Sequence, residues 1–598
     1  MEYTPHRLLD TSNGRLCDRE SLINAFKTSA KYKELLSSTI ESAHLREERI
    51  RDAVETFFLY VMLSHRWEEP EASKHEIADK VIYELDPVGG IVKLQSFCKV
   101  VRDAGYRWAW MDTCCIDQKD PTDIQRSVHS MFAWYRHSAL TIIYLSDVPP
   151  SSKSGAMARS AWRTRGWTVQ ELLAPKIVLF YQSDWTLYLD DRSSNHKKSA
   201  MIVQELEDAT GINGQALTGF QPGMTGAREK LQWASKRVTK YPEDIAYSLF
   251  GIFGVHIPIM YGETKGNALG RLLQEIIARS GDISCLDWSG RSSEFNSCLP
   301  ANITAYAAPA FAPPSLPEKN RETSVFSQPD ANIAEADVQL HLLPGEETET
   351  STSSQRDAGT TEAGVQPYLL PPPPEEETKT STSSLRDAGT TEANVQLHLL
   401  PPPPEKGTKA STSSPRDAGA TEAVIRLYTT LDQLDGPKFE NYRLGLPCIV
   451  FTVTHVKQRP SAGQETRLTY EVKAGGLQDL LITTEDKLSR KQKLLLVRPW
   501  DCNLLKLCDT ADSDDDSDAH SVMTDDSGTS WGKEPADSDS DSRALRLLAC
   551  LGQPFRALLL VQQGKEFRRI AADYNIVARV KDATSVRDLM DIRTVEIK

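Results

Sequence analysis

Short apolar runs alternate with helix-period segments over residues 58–182, and this predicts an α/β fold built on a parallel sheet. Three observations carry the prediction. The runs at 58–63, 106–111, 140–145 and 176–180 have the length of buried strands. Segments 90–104 and 124–137 between them read as helices; in the second, Val128, Met131, Phe132 and Tyr135 are spaced to share one helical face. The runs are near-continuously apolar rather than alternating, as in strands covered by helices on both faces. A further helix over 165–173 is ended by Pro175 before the last run.

The chain has 598 residues, enough for several domains. A segment at 1–57 leads into the α/β core at 58–182. A helical extension at 183–299 follows, in which Trp233, Ala234 and the run 246–253 are expected to pack on the sheet. Glu243-Asp244 and Tyr261-Gly-Glu263 interrupt it, either as a polar rim or as caps and turns. Residues 300–423 are rich in Pro, Ser and Thr and carry a 30-residue repeat: Ser-Thr-Ser-Ser starts at 351, 381 and 411, and Arg-Asp-Ala-Gly at 356, 386 and 416. The repeats have too few large apolar residues to bury a face, so a disordered spacer with polyproline II stretches is expected rather than a solenoid. A proline-motif docking site at 371–374 and 401–404 is the alternative. Residues 424–598 read as a β-rich domain, with strands at 424–430, 448–456, 468–473, 480–484, 494–498, 555–562, 574–579 and 594–597. An acidic disordered insert near 509–542 interrupts it, and its Ser-Asp clusters serve as a solvated spacer or as phosphorylation sites.

Composition narrows the function classes. The net charge of -14 argues against nucleic-acid partners, which need clustered Lys and Arg. Ten cysteines without a CxxC pair suggest reduced thiols and a cytoplasmic location. The first residues form no apolar signal region. The longest apolar stretch, 246–260, is short and contains His256 and Pro258, so no membrane span is expected. GxxxxGK[ST], GxGxxG and HExxH motifs are absent from the chain.

Ligands of open parallel sheets bind beyond the carboxyl ends of the strands. Here the first strand runs into Ser64, His65, Arg66 and Trp67, the second into Asp112 and Asp117, and the third into Ser146 and Asp147. Such polar strand ends are costly to bury and are expected to line a polar cleft. Taken singly, His65 or Asp112 is equally a cap or a satisfied hydrogen-bonding group. Cys114 or Cys115 with His65 and Asp112 offers a thiol-hydrolase set or zinc ligands. Adjacent cysteines give poor tetrahedral geometry, and no metal is assigned.

These strand ends also carry a family resemblance. Leu63-Ser-His-Arg-Trp67, Trp110-Met-Asp-Thr-Cys-Cys-Ile-Asp-Gln118, Tyr144-Leu-Ser-Asp-Val148 and Arg165-Gly-Trp-Thr-Val-Gln-Glu-Leu-Leu-Ala-Pro175 resemble successive motifs of the fungal heterokaryon-incompatibility (HET) domain. Glu243-Asp-Ile-Ala-Tyr-Ser-Leu-Phe-Gly-Ile-Phe-Gly254 and Tyr261-Gly-Glu263 continue the series, and Arg7-Leu-Leu-Asp-Thr11 resembles its opening. The likeness runs from about residue 5 to about residue 290. It implies non-self recognition and regulated cell death, through self-association or contacts with other signalling proteins. It also implies a distant relation to the TIR fold, a flavodoxin-like parallel sheet.

Some TIR domains cleave NAD with a glutamate in a Trp-Cys-x-x-Glu pattern. Trp167-Thr-Val-Gln-Glu171 has that spacing, with Thr168 in place of Cys. The resemblance therefore offers an alternative, an NAD or related nucleotide glycohydrolase with Glu171 as the catalytic candidate. Nicotinamide leaves as a neutral base, so one carboxylate beside the oxocarbenium-like ribose is the main chemical requirement. Ser64, His65 and Arg66 would hold phosphates or ribose beside Asp112, and Trp67 or Trp167 would stack on a planar ring. In the competing view Trp167 and Leu172 anchor the helix in the core and Glu171 is an ordinary ion-pair partner. No cofactor is assigned; NAD enters only as a candidate substrate.

Overall fold

The computed structural model describes residues 3–37, 43–311, 429–431, 433–460, 467–489, 491–500, 551–581 and 591–598. The repeats of the 300–423 region and the acidic tract near 509–542 lie outside the described residues.

The apolar runs of the N-terminal half form strands β3 (Tyr60–His65), β4 (Trp108–Trp110), β5 (Leu140–Tyr144) and β6 (Val178–Tyr181). All pair in parallel, in the order β4-β3-β5-β6. In this 2-1-3-4 order the connections diverge between the first and third parallel strands, where open sheets form a crevice. Alternation along the strands divides two cores: Ile143, Val178 and Phe180 face one, and Ile142, Leu179 and Tyr181 the other. Both faces are therefore covered, which accounts for the continuous hydrophobicity of the runs.

The sheet is not purely parallel. A hairpin of β1 (Arg7–Asp10) and β2 (Arg15–Asp18) adds to its edge, with β1 antiparallel to both β2 and β4. Its strands are four residues each and flanked by charge, so hydrophobic patterning alone misses them. Leu8 and Leu9 are its fully buried apolar residues, with Asp10 buried beside them.

Local chemistry sets the helix starts. Asp120 caps the helix Pro121–His137 by accepting from the Thr122 amide, and Pro121 occupies the first turn. The helix Gly90–Asp103 starts where its backbone meets the loop before it: a Cβ on Gly90 would overlap the backbone of Glu71 and Ala72. That contact holds the loop after β3 against the helix. Residues 200–280 are mainly helical, with Ala200–Thr210, Ala227–Ala234 and Lys265–Ser280 packing on the face that holds Phe180.

From residue 438 onward the described chain is mainly β structure. β7 (Lys438–Glu440), β8 (Arg443–Gln458), β9 (Leu468–Ala474), β10 (Leu480–Thr484), β11 (Leu494–Pro499), β12 (Phe555–Gln563), β13 (Glu566–Ile570), β14 (Ile576–Ala578) and β15 (Asp591–Ile597) join one sheet. Its pairings are antiparallel except that of β13 with β15. β7 and β13 have no counterpart among the strands read from sequence. The expected strand at 424–430 is not found where it can be seen: residues 429–431 are helical, and 424–428 lie outside the described residues. Here period-two alternation separates two environments. Leu446, Cys448, Val450, Leu558 and Leu560 join the core of the N-terminal helices, whereas Ile449, Phe451, Leu559 and Val561 form a core with Trp500 and Tyr470.

Alanine at an exposed helical glycine normally stabilises. Gly90→Ala should do the opposite, lowering stability by about 1–3 kcal/mol through overpacking against Glu71 and Ala72. Urea denaturation of the full chain measures it, and a stabilised variant would contradict the close approach.

Candidate functional site

The carboxyl end of β3 places Ser64 and His65 at the middle of the sheet, between β4 and β5. The short helix Thr168–Leu173 carries Glu171 to the same place. Ser64 is fully buried, and its hydroxyl donates to Glu171 Oε2 at 2.5 Å while accepting from the Trp162 indole at 2.8 Å. Burial first, and then the neighbouring Asp112 charge, push the Glu171 carboxyl up to about 8, against the opposing pull of Ser64, Arg165 and Arg237. Glu171 is 5% exposed and has no ion pair among the described residues. It is thus neither the open carboxylate nor the ion-pair partner expected from sequence, but a buried neutral acid held by a serine.

Asp112 lies at the end of β4. His65 Nε2 meets its Oδ1 at 2.9 Å, and the Trp67 indole donates to its Oδ2 at 2.7 Å. Burial opposes its charge, but the His65 and Trp67 donors and the Arg165 guanidinium outweigh burial and hold the carboxyl below its usual range. On the far side of the imidazole, Lys93 Nζ stands 3.3 Å from His65 Nδ1. An ammonium group only donates, so Nδ1 accepts and Nε2 carries the proton toward Asp112. Lys93 is itself fixed by Glu71 at 2.6 Å and by the Arg66 carbonyl at 3.2 Å. Two carboxyl groups at one edge are therefore driven apart, Asp112 toward the anion and Glu171 toward the acid.

Of the residues expected to share a cleft, Ser64, His65, Asp112, Trp67 and Glu171 come together. They pack against one another rather than around an open space, with Ser64, His65 and Glu171 all buried. The Arg66 side chain is exposed and only its carbonyl takes part. Trp167 turns aside, and its indole donates to Asp244 at 3.2 Å. Burial raises Asp244 to about 6. Half-buried Trp67 and Trp167 stay partly accessible, and Arg165 lies over the Trp67 ring at 5.6 Å.

The thiol set does not assemble. Both His65 nitrogens are occupied by Lys93 and Asp112, and the hydrogen bond with Cys115, with burial, raises the Cys114 thiol. No group of three or more His, Cys, Asp or Glu placed to hold a metal was found among the described residues. No helix of the described residues is long and apolar enough to cross a membrane.

Lys93, Glu71, Arg165 and Arg237 were not singled out as site residues. Lys93 left a trace in the sequence: it lies between Ile91 and Leu94 on a helix whose inner face is apolar, where a lone cation needs a partner. Arg237 reaches Thr168 Oγ1 at 2.8 Å from far along the chain, and nothing local announces it.

This arrangement lies within a segment shared with other proteins. Residues 60–160 match the family model described as Heterokaryon incompatibility protein (HET). The chain carries a HET domain. It is also 37% identical over 230 residues to the vegetative incompatibility protein HET-E-1 of Podospora anserina, covering 36% of this chain and 16% of that protein. The chain thus spans about a sixth of the length of this relative (16%). No solved structure matches.

The protonated Glu171 makes a pH prediction. In the unfolded chain a glutamate ionises near ~4.3, whereas here the value is about 8. Between the two the unfolded state binds fewer protons, so this group's contribution to stability falls as pH rises and levels off above the folded value. Glu171→Gln keeps an acceptor for Ser64 and cannot ionise. Its Tm relative to wild type should climb from about pH 5 to about pH 8; an offset constant across that range would rule out the buried acid.

Proposed function

We propose that this protein acts in non-self recognition and regulated cell death, as a cytoplasmic HET-domain protein that signals by association with itself or with partner proteins. The HET match supports the biological role, as does the likeness to a vegetative incompatibility protein. The observation that carries association over chemistry is the closed packing of the polar edge. Ser64, His65, Asp112 and Glu171 satisfy one another's hydrogen bonds, as in a network that fixes the shape of a domain.

A second reading is favoured by one specific observation. Asp112 and Glu171 sit side by side with their carboxyl groups shifted in opposite directions, a pattern that marks acid–base pairs in enzymes. In that reading the domain is a TIR-like NAD or related nucleotide glycohydrolase. Glu171 must then lose its proton as substrate enters, to act as the anion beside the ribose. Trp67 or Trp167 would stack on a ring.

Inducible expression of the full chain in a filamentous fungus separates the two. The expected result is hyphal death with total NAD unchanged and undiminished in Glu171→Gln. Death accompanied by NAD loss, with both abolished in Glu171→Gln, would transfer the assignment to the glycohydrolase. Absence of death at high expression and in confrontations between unlike strains would overturn the recognition role.

A further inference from the structure

His256 interrupts the apolar stretch 246–260 and takes no part in the polar edge of the sheet. It follows the short helix Phe250–Phe253, which ends at Gly254 in the left-handed conformation. The fold brings it to His129, on the helix Pro121–His137. The two imidazole rings lie with their centres 5.8 Å apart and their planes tilted by 47°. Phe250, which is buried, stacks on the His129 ring at 6.1 Å and 24°. Packing beside the pair sets their spacing. One turn beyond His129, Phe132 lies against Gly251, where an added Cβ would overlap the Phe132 side chain. The helix that carries His129 and the short helix before His256 are thus in direct contact.

Neither imidazole has a hydrogen bond or an ion pair among the described residues. A histidine in a folded protein is ordinarily fixed through its ring nitrogens, as His65 is by Asp112 and Lys93. His129 is half-buried, and its Nδ1 is closed off without a partner. A buried nitrogen of this kind calls for a bound water or an ion. His256 is exposed and keeps the pair within reach of solvent. Burial, and then the neighbouring His256, lower His129 from the ordinary imidazole range. Its ring is therefore neutral at neutral pH, the form in which imidazole ligates metal ions. A zinc ion bonds imidazole nitrogen at about 2.0–2.1 Å, and a tetrahedral angle between two such bonds sets the ring centres roughly 5–6 Å apart. The spacing of His129 and His256 falls in that range.

We propose that His129 and His256 form a two-histidine site for a divalent transition-metal ion of the zinc type, with water completing its coordination. Imidazole suits zinc, copper and nickel, whereas calcium and magnesium take oxygen ligands. With two ligands from the described residues, the site binds more weakly than a closed four-ligand zinc site. A bound ion would clasp the helix Pro121–His137 to the turn after Phe253, and so join the parallel-sheet core to the helical extension.

Zinc chloride is the probe, titrated into the full chain after chelator treatment and followed by calorimetry and thermal melting, with magnesium chloride as control. Other thiols and carboxylates of the chain also take up zinc, so the site is read as the difference between wild type and variant. His256→Ala and His129→Asn should each bind one zinc per chain fewer than wild type. Each should also lose a zinc-dependent rise in Tm of a few degrees. An equal zinc count and Tm response in wild type and His256→Ala, or an equal rise with magnesium, overturns the proposal. His256 is exposed, so His256→Ala keeps the fold and decides alone should His129→Asn fail to fold.

Discussion

The hydrogen bond from Ser64 to Glu171 ties the central parallel strand to the helix that enters β6. A carboxyl group in that position stays only if it is uncharged or paired, because an isolated buried charge costs far more than one hydrogen bond returns. The surrounding residues answer to that constraint. Trp162 completes the serine's bonding, and Tyr135 donates to the Leu63 carbonyl at 3.0 Å one residue before it. Thr168, at the start of the helix, is bound to the Trp162 and Arg165 carbonyls and to Arg237. The edge of the sheet is thus rigid by mutual satisfaction, and Asp112 can remain ionised only because His65, Trp67 and Arg165 face it.

The parallel strands were legible because burial on both faces leaves runs such as Leu140–Tyr144 with no polar alternation. The β1–β2 hairpin was not, since two buried leucines carry too little pattern. The meeting of Ser64, His65 and Asp112 followed from the rule that parallel strands present their carboxyl ends together, whereas Glu171, on a helix, was singled out only by the family resemblance. Their packing did not follow from it. Whether such residues open onto solvent or close on one another depends on distant groups: Lys93 reaching His65, Glu71 folding back to Lys93, and Asp244 drawing Trp167 aside. Those contacts join segments whose adjacency exists only in the folded chain.

The C-terminal sheet shows how one strand serves two cores. Along β8, Leu446, Cys448 and Val450 face the N-terminal helices, and Ile449 and Phe451 face the other side. Asn296 binds the carbonyls of Tyr442 and Ile597 at 2.9 Å each, so the packing is oriented by directional bonds as well as by apolar burial. The end of the HET region and the last strand of the chain therefore share one folded body.

β11 and β12 are hydrogen-bonded neighbours, although residues 501–550 separate them in sequence. Their register, Leu494 against Val561 through Val497 against Leu558, is set by the strands themselves. The entropy of closing a connection grows slowly with its length, by only about 0.6 kcal/mol for each doubling. The connection is therefore a place where the gene can gain or lose codons at little thermodynamic penalty. A change of length there leaves the register of β11 and β12 unchanged, because the paired strands set it themselves.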